Sequence, residues 1–142
     1  MRVSERLLVR GKRINDGEWI TGYCWIYMNR RNYPLVWYEK EPDLFVAEEI
    51  DPESMGQCTG LKERNGKLMY EGDIVRLLEN SLPLKAGLYE VAYYMGSFML
   101  DSPDDAYPLL QMSVDTGQIF TGGNVEEIIT FEVLEIIGNV HE

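Results

Sequence analysis

Residues 56–75 read GQCTGLKERNGKLMYEGDIV, and the fold turns on how this stretch is read. Asn65-Gly66 sits between Glu63-Arg64 and Lys67-Leu68. That dipeptide readily takes the positive φ of a tight hairpin, so two strands are expected to meet there. Tyr70-Glu71-Gly72 marks a second sharp bend, and Asp73 to Leu78 is the strand that leaves it. Composition agrees with a chain of strands and turns. Tyr and Trp are plentiful, Ala is scarce, and Gly and Pro are scattered throughout.

Working outward toward the N-terminus, Leu7 to Ile14 is expected as a first strand, with Asn15-Asp16-Gly17 as its turn. Residues 18–28, EWITGYCWIYM, continue as a second strand. Alternation puts Trp19, Thr21, Tyr23, Trp25 and Tyr27 on one face and Ile20, Cys24, Ile26 and Met28 on the other. Both faces are largely apolar, which suits a central strand or an interface. Gly22 inside it points to a bulge or a close backbone approach. Leu35 to Tyr38 and Leu44 to Ile50 follow as short strands around Glu41-Pro42-Asp43, and Asp51-Pro52-Glu53-Ser54 opens a turn.

Toward the C-terminus, Leu88 to Tyr94 and Ser97 to Leu100 pair as a hairpin across Met95-Gly96. Asp101 to Pro108 reads as an acidic loop. Leu109 to Val114 and Gln118 to Thr121 are further apolar or strand-like pieces. Asn124 is placed to cap one or two helical turns over Val125 to Ile129, with Glu126 and Glu127 at the positive end of the dipole. Phe131 to Ile137 closes the chain as a strand. The expected class is mainly β. Residues 1–55 form an N-terminal β region and residues 56–142 a small SH3-like barrel, with at most one short helix, or the two make one compact unit. The barrel is an analogy from strand order.

A chain of 142 residues suits one domain or two small subdomains. Its net charge of −11 is unevenly placed. Residues 1–40 carry eight Lys or Arg against four Asp or Glu, whereas residues 41–142 carry five against twenty. The acidic body repels a phosphate backbone, which disfavours nucleic acid as a partner. The basic residues Arg10, Lys12, Arg13, Arg30 and Arg31, interleaved with aromatics, nevertheless define a candidate nucleic-acid contact. No apolar run approaches the roughly 20 residues that cross a bilayer, so no membrane role is expected. Met1 to Arg13 has no apolar core of a secretory leader. Cys24 and Cys58 are therefore expected as reduced thiols in the cytoplasm.

Catalytic constellations are thin. The one histidine, His141, is the residue that any Ser-His-Asp or Cys-His arrangement would have to use. The cysteines lack the CxxC spacing of a zinc site. Asp101, Asp104 and Asp105 offer oxygen ligands but match no calcium loop, and a solvated acidic loop is the ordinary reading. Gly56, Gly60, Gly66 and Gly72 lack the Gly-Lys-Ser/Thr ending of a phosphate cradle, and turns explain them. Glu71 and Asp73 are expected to bond turn amides. No catalytic residue, metal or cofactor is expected. The stripe Trp19, Tyr23, Trp25 and Tyr27 would serve base stacking or, as such stripes more often do, a core or subunit interface.

Three blocks carry a resemblance. The first runs Asp51-Pro52-Glu53-Ser54-Met55-Gly56-Gln57-Cys58-Thr59-Gly60-Leu61-Lys62, then Asn65-Gly66-Lys67 and Tyr70-Glu71-Gly72-Asp73-Ile74-Val75. The others are Arg10-Gly11-Lys12-Arg13 with Gly17-Glu18-Trp19, and Ile136-Ile137-Gly138-Asn139-Val140 with Glu142. Together they resemble the YopX family of phages and prophages along essentially the whole chain, the central block being the specific one. Cys58 departs from the pattern, standing where the family usually has an aromatic ring. The resemblance implies a β-rich fold with an SH3-like portion, a phage or prophage setting and self-association. It implies no reaction. The function expected is thus a non-enzymatic phage-type protein acting as a homo-oligomer or by binding a host or phage protein. The alternative is a nucleic-acid-associated phage protein using the basic N-terminal segment.

Overall fold

The computed structural model describes residues 8–26, 34–80, 84–94, 96–109 and 130–141, and among them the protein is mainly β, with one short 3-10 turn. The chain divides into two compact units. The first comprises the residues up to Cys58 together with His141, and the second runs from Thr59 to Val140.

In the first unit, β1 (Val9–Lys12) and β2 (Trp19–Gly22) form an antiparallel hairpin. The Asp16-Gly17 turn joins them, with Gly17 at φ 71° and its N–H bonded to Arg13 O at 2.9 Å. A three-stranded meander follows in the order β3 (Cys24–Ile26), β4 (Leu35–Glu41) and β5 (Leu44–Glu49). Its tight turn places Asp43 at φ 62°. The turn over Pro52–Ser54 is capped by Asp51, whose carboxylate accepts Glu53 N–H at 3.0 Å. Val9, Ile20, Val36 and Ile50 form the core, with Trp25, Tyr38 and Met55 packed against it.

The single strand expected over residues 18–28 is broken. Tyr23 is a bend, after which β3 leaves β1 and pairs with β4 instead. The cause is the expected close approach at Gly22, where a Cβ would collide with the carbonyl of Trp37 and with Val36 Cγ1. The close approach was legible at Gly22, but the partner strand was not.

β6 (Gly56–Glu63) is the strand inside the central stretch. Its first residues pair with β1, Gln57 opposite Val9 and Gly56 opposite Arg10. Its end belongs to the second unit, where it pairs with β7 (Leu68–Tyr70) and, in parallel, with β12 (Thr130–Phe131). The Asn65-Gly66 turn is the expected hairpin, with Gly66 at φ 83° and Glu63 N–H bonded to Lys67 O at 2.9 Å.

The rest of the second unit is an antiparallel sheet. β8 (Asp73–Leu77), β9 (Gly87–Tyr94), β10 (Ser97–Asp101), β11 (Ala106–Pro108) and β13 (Leu134–Asn139) lie in the order β11-β10-β9-β8-β13. β9 and β10 pair as the expected hairpin, Tyr94 opposite Ser97. Among the described residues no ladder joins β11 to β13. Leu61, Met69, Val75, Leu77, Val91, Leu100, Phe131 and Leu134 are among the residues of its core.

Two further expectations need correction. Asp101 to Pro108 is not one loop: Ser102 and Asp105 close a turn through their backbones, and β11 then pairs back onto β10. Three residues are too few to show alternation. Phe131 to Ile137 is not one strand, because a turn at Glu132-Val133 separates β12 from β13. The helical turns expected over Val125 to Ile129, and the pieces from 110 to 121, lie outside the described residues.

Candidate functional site

The β4–β5 hairpin builds the most distinctive surface. Its register pairs Trp37 with Ala47 and Glu39 with Phe45. The pleat then turns Val36 and Tyr38 toward the core and Trp37 and Phe45 to the opposite face. Trp37 and Phe45 are diagonal neighbours across the ladder, and their rings stack with centroids 4.8 Å apart at 25°. Tyr23 completes the group, edge-on to Trp37 at 5.9 Å and 6.1 Å from Phe45. The bend at residue 23 positions it, since Tyr23 N–H donates to Trp37 O at 2.9 Å. Trp37 remains 38% and Phe45 40% exposed. Each aromatic pair contributes about 0.5–1.5 kcal/mol beyond its area, yet the outer ring faces stay in water.

The surroundings are acidic. The hairpin carries Glu39, Glu41, Asp43, Glu48 and Glu49 against a single Lys40. Glu48 accepts from Tyr38 Oη at 2.8 Å and from Arg13 at 3.2 Å. Burial first, and then the bond and charge of Glu48, push the Tyr38 phenol above its ordinary value. Arg13 also holds Asp16 at 2.6 Å. Beside this group a shallow cleft of about 350 Å³ is lined by Ile14, Asn15, Ala47, Glu48 and Glu49.

The residues named from sequence go to separate places. Trp19 lies under cations, with the Arg10 guanidinium 4.7 Å and Lys12 Nζ 5.3 Å from its ring centroid. The His141 ring is 6.3 Å away, and Lys12 Nζ donates to His141 O. Trp25 turns inward, its Nε1 buried with no acceptor among the described residues. Of the three aromatics among the described residues, Tyr23 alone joins the exposed cluster; Tyr27, Arg30 and Arg31 lie outside the described residues. Sequence reasoning missed Trp37 and Phe45. The signal was present in the alternation of residues 35–47 around Pro42-Asp43, which opposes Trp37 and Phe45 to Val36 and Tyr38. Of the basic residues, Arg13 is held in ion pairs, and Arg10 and Lys12 cover Trp19.

The carboxylates of the central stretch serve structure. Glu63 accepts the N–H groups of Asn65 at 2.7 Å, Lys67 at 3.1 Å and Ile136 at 3.2 Å. Asp73 accepts Tyr70 N–H at 2.8 Å and Asn139 Nδ2 at 3.3 Å. This is the turn-bonding role expected of Asp73. Cys58 is a buried thiol. Asp101 accepts from Tyr94 Oη at 3.3 Å, and Asp105 closes its own turn. Among the described residues no three His, Cys, Asp or Glu are grouped to hold a metal, and no helix is long and apolar enough to cross a membrane.

No curated protein sequence matches the chain. The family model described as YopX protein matches residues 10–142, which takes in both units and the hairpin that carries the aromatic face. With nearly its whole length matched, the chain belongs to the YopX family and is a protein of phage type.

Proposed function

We propose that this is a non-enzymatic protein that works by association, with the Tyr23–Trp37–Phe45 face meeting a second copy of the chain. The observation that carries this is the Trp37–Phe45 stack, built on the β4–β5 hairpin and left about 40% exposed. Aromatic side chains grouped on a flat face are enriched where proteins meet, because large rigid rings bury much area at small cost in conformational entropy. The opposite face of the same sheet already fills the core of the first unit, so this face is spare. The bacterial host cytoplasm is the proposed place of action, since it keeps Cys24 and Cys58 reduced.

The test is sedimentation velocity on the wild type and on Trp37→Ser with Phe45→Ser, in low and high salt. The reading expects an oligomer that survives high salt, because aromatic burial is not screened, and a monomer in the double variant. A wild type that is monomeric at every concentration, or a double variant that assembles as before, would sink it.

A further inference from the structure

We infer that the outer edge of β5 is a docking strand for an extended segment of another protein, one that alternates apolar and basic residues. This goes beyond the self-association of the aromatic face, because the edge and the face are separate features of the hairpin.

The phase of the ladder shows which groups are available. Ile50 N–H donates to Pro34 O at 3.0 Å, so by alternation Glu48 and Val46 aim their backbone groups at β4. Phe45, Ala47 and Glu49 aim theirs away from it. On that outer side the chain begins a ladder and then abandons it. Asp51 N–H donates to Lys12 O at 2.8 Å, and Ile14 N–H donates to Glu49 O at 3.1 Å. The next rung would fall at Ala47, but Asn15-Asp16-Gly17 turns the chain away. The cleft lined by Ile14, Asn15, Ala47, Glu48 and Glu49 lies at this missing rung. Beyond it, Phe45 and Ala47 present backbone groups with no partner among the described residues.

An exposed apolar edge of this kind is a template for another strand. Leu44, Phe45, Val46 and Ala47 carry no charge, and Leu44 is 46% exposed. Charge selects the occupant. A second copy of β5 paired antiparallel through Phe45 and Ala47 would set Asp43 against Glu49 of that copy, and like charges opposed across a ladder destabilise it. A cationic strand has the opposite fit, because Asp43 and Glu49 flank the edge and Glu39 and Glu41 lie on the neighbouring strand. Its apolar side chains would extend the Trp37–Phe45 face. Its basic side chains would reach Asp43 and Glu49, which flank the apolar run of the edge.

The probe is a capped synthetic peptide of alternating lysine and valine, with a glutamate–valine peptide as control. NMR-detected hydrogen exchange on the full chain is the readout. The lysine peptide is expected to slow exchange at the Phe45 and Ala47 amides about tenfold, the protection of roughly one net backbone hydrogen bond. Ala47→Pro deletes an outward N–H and leaves every β4–β5 bond in place, so it should fold and lose binding. Should that variant misfold, peptides methylated on alternate amides decide instead: one phase of methylation should abolish binding and the other spare it. Equal binding of the glutamate peptide, no protection at any peptide concentration, or protection elsewhere would overturn the inference. So would the same protection appearing without peptide as protein concentration rises, which assigns the edge to a second copy. Trp37→Ser separates the two readings: binding lost in Ala47→Pro but kept in Trp37→Ser supports the edge, and the reverse supports the face and overturns the edge.

Discussion

The amide of Ile136 donates to Glu63 Oε2 at 3.2 Å, closing a contact between residues 73 positions apart. Glu63 is fully buried, and its other oxygen accepts Asn65 N–H and Lys67 N–H. One carboxylate therefore holds the Asn65-Gly66 turn and ties it to β13. A buried carboxylate is tolerated only with such partners. Within the most recognisable stretch of the chain, Glu63 thus has a structural role.

Removing that acceptor should be costly. Glu63→Ala takes the acceptor from three backbone amides, at about 1–3 kcal/mol for a buried donor and less for Asn65 and Lys67, whose exposed turn water can reach. A loss of about 2–4 kcal/mol is expected in urea unfolding, read as a lower midpoint at constant m. Glu63→Gln keeps one oxygen but turns an NH2 toward a donor, so about 1–3 kcal/mol is expected. A Gln variant as stable as wild type would show that the carboxylate is not the clamp.

Two glycines should respond differently to alanine. At Gly66 a new Cβ meets open space, and the cost is that of φ 83° alone, about 1–2 kcal/mol. At Gly22 the Cβ would enter the backbone of β4 at Trp37. Backbone cannot move aside as a flexible side chain can, so Gly22→Ala should exceed Gly66→Ala and open the β3–β4 pairing. Circular dichroism melts with Trp fluorescence would show the order, and equal melting temperatures would contradict it.

What was legible in the sequence was local. Asp16-Gly17, Pro42-Asp43, Asn65-Gly66 and Met95-Gly96 were readable as turns because a turn is decided by the φ of one or two residues. The candidate site was not readable from one strand. Counting by twos through Tyr23 assumed an unbroken pleat. The bend there sends Trp25 to the core and Tyr23 to the aromatic face, while Trp19, ahead of it on β2, lies against Arg10 through the β1–β2 ladder. Which residues join Tyr23 depends on the register of β4 on β5, a pairing that no residue of β2 or β3 encodes. The parallel pairing of Thr130-Phe131 with β6 is likewise long-range.

Asp43 offers a gain. It is the one described non-glycine residue at positive φ, 62°, in the β4–β5 turn. Its N–H bond to Glu39 Oε1 at 3.3 Å is exposed, and the backbone can keep it after substitution. Asp43→Gly removes the Cβ penalty but adds freedom to the unfolded chain, so a net gain of a few tenths to about 1 kcal/mol is expected. Asp43→Val should cost more than about 1 kcal/mol, because a β-branched residue resists this region. Thermal melts of the two variants on either side of wild type would bear this out, and a stabilised Val variant would contradict it.

Alkaline pH should lower the stability of the chain through its tyrosines. Tyr38, Tyr89 and Tyr94 are all pushed above the ordinary phenol value of 10.0, in each case by burial first. Glu48, Asp105 and Asp101 respectively add to it. Above about pH 10 the unfolded chain binds fewer protons at these groups than the folded one, so stability falls as pH rises through the folded values. Absorbance of the phenolate should show a late-titrating set in the folded protein that merges with the early set in urea. Tyr38→Phe should move part of the alkaline loss of stability to higher pH, although it costs the 2.8 Å bond to Glu48 at neutral pH. Nine tyrosines titrating together in the folded state would contradict the assignment.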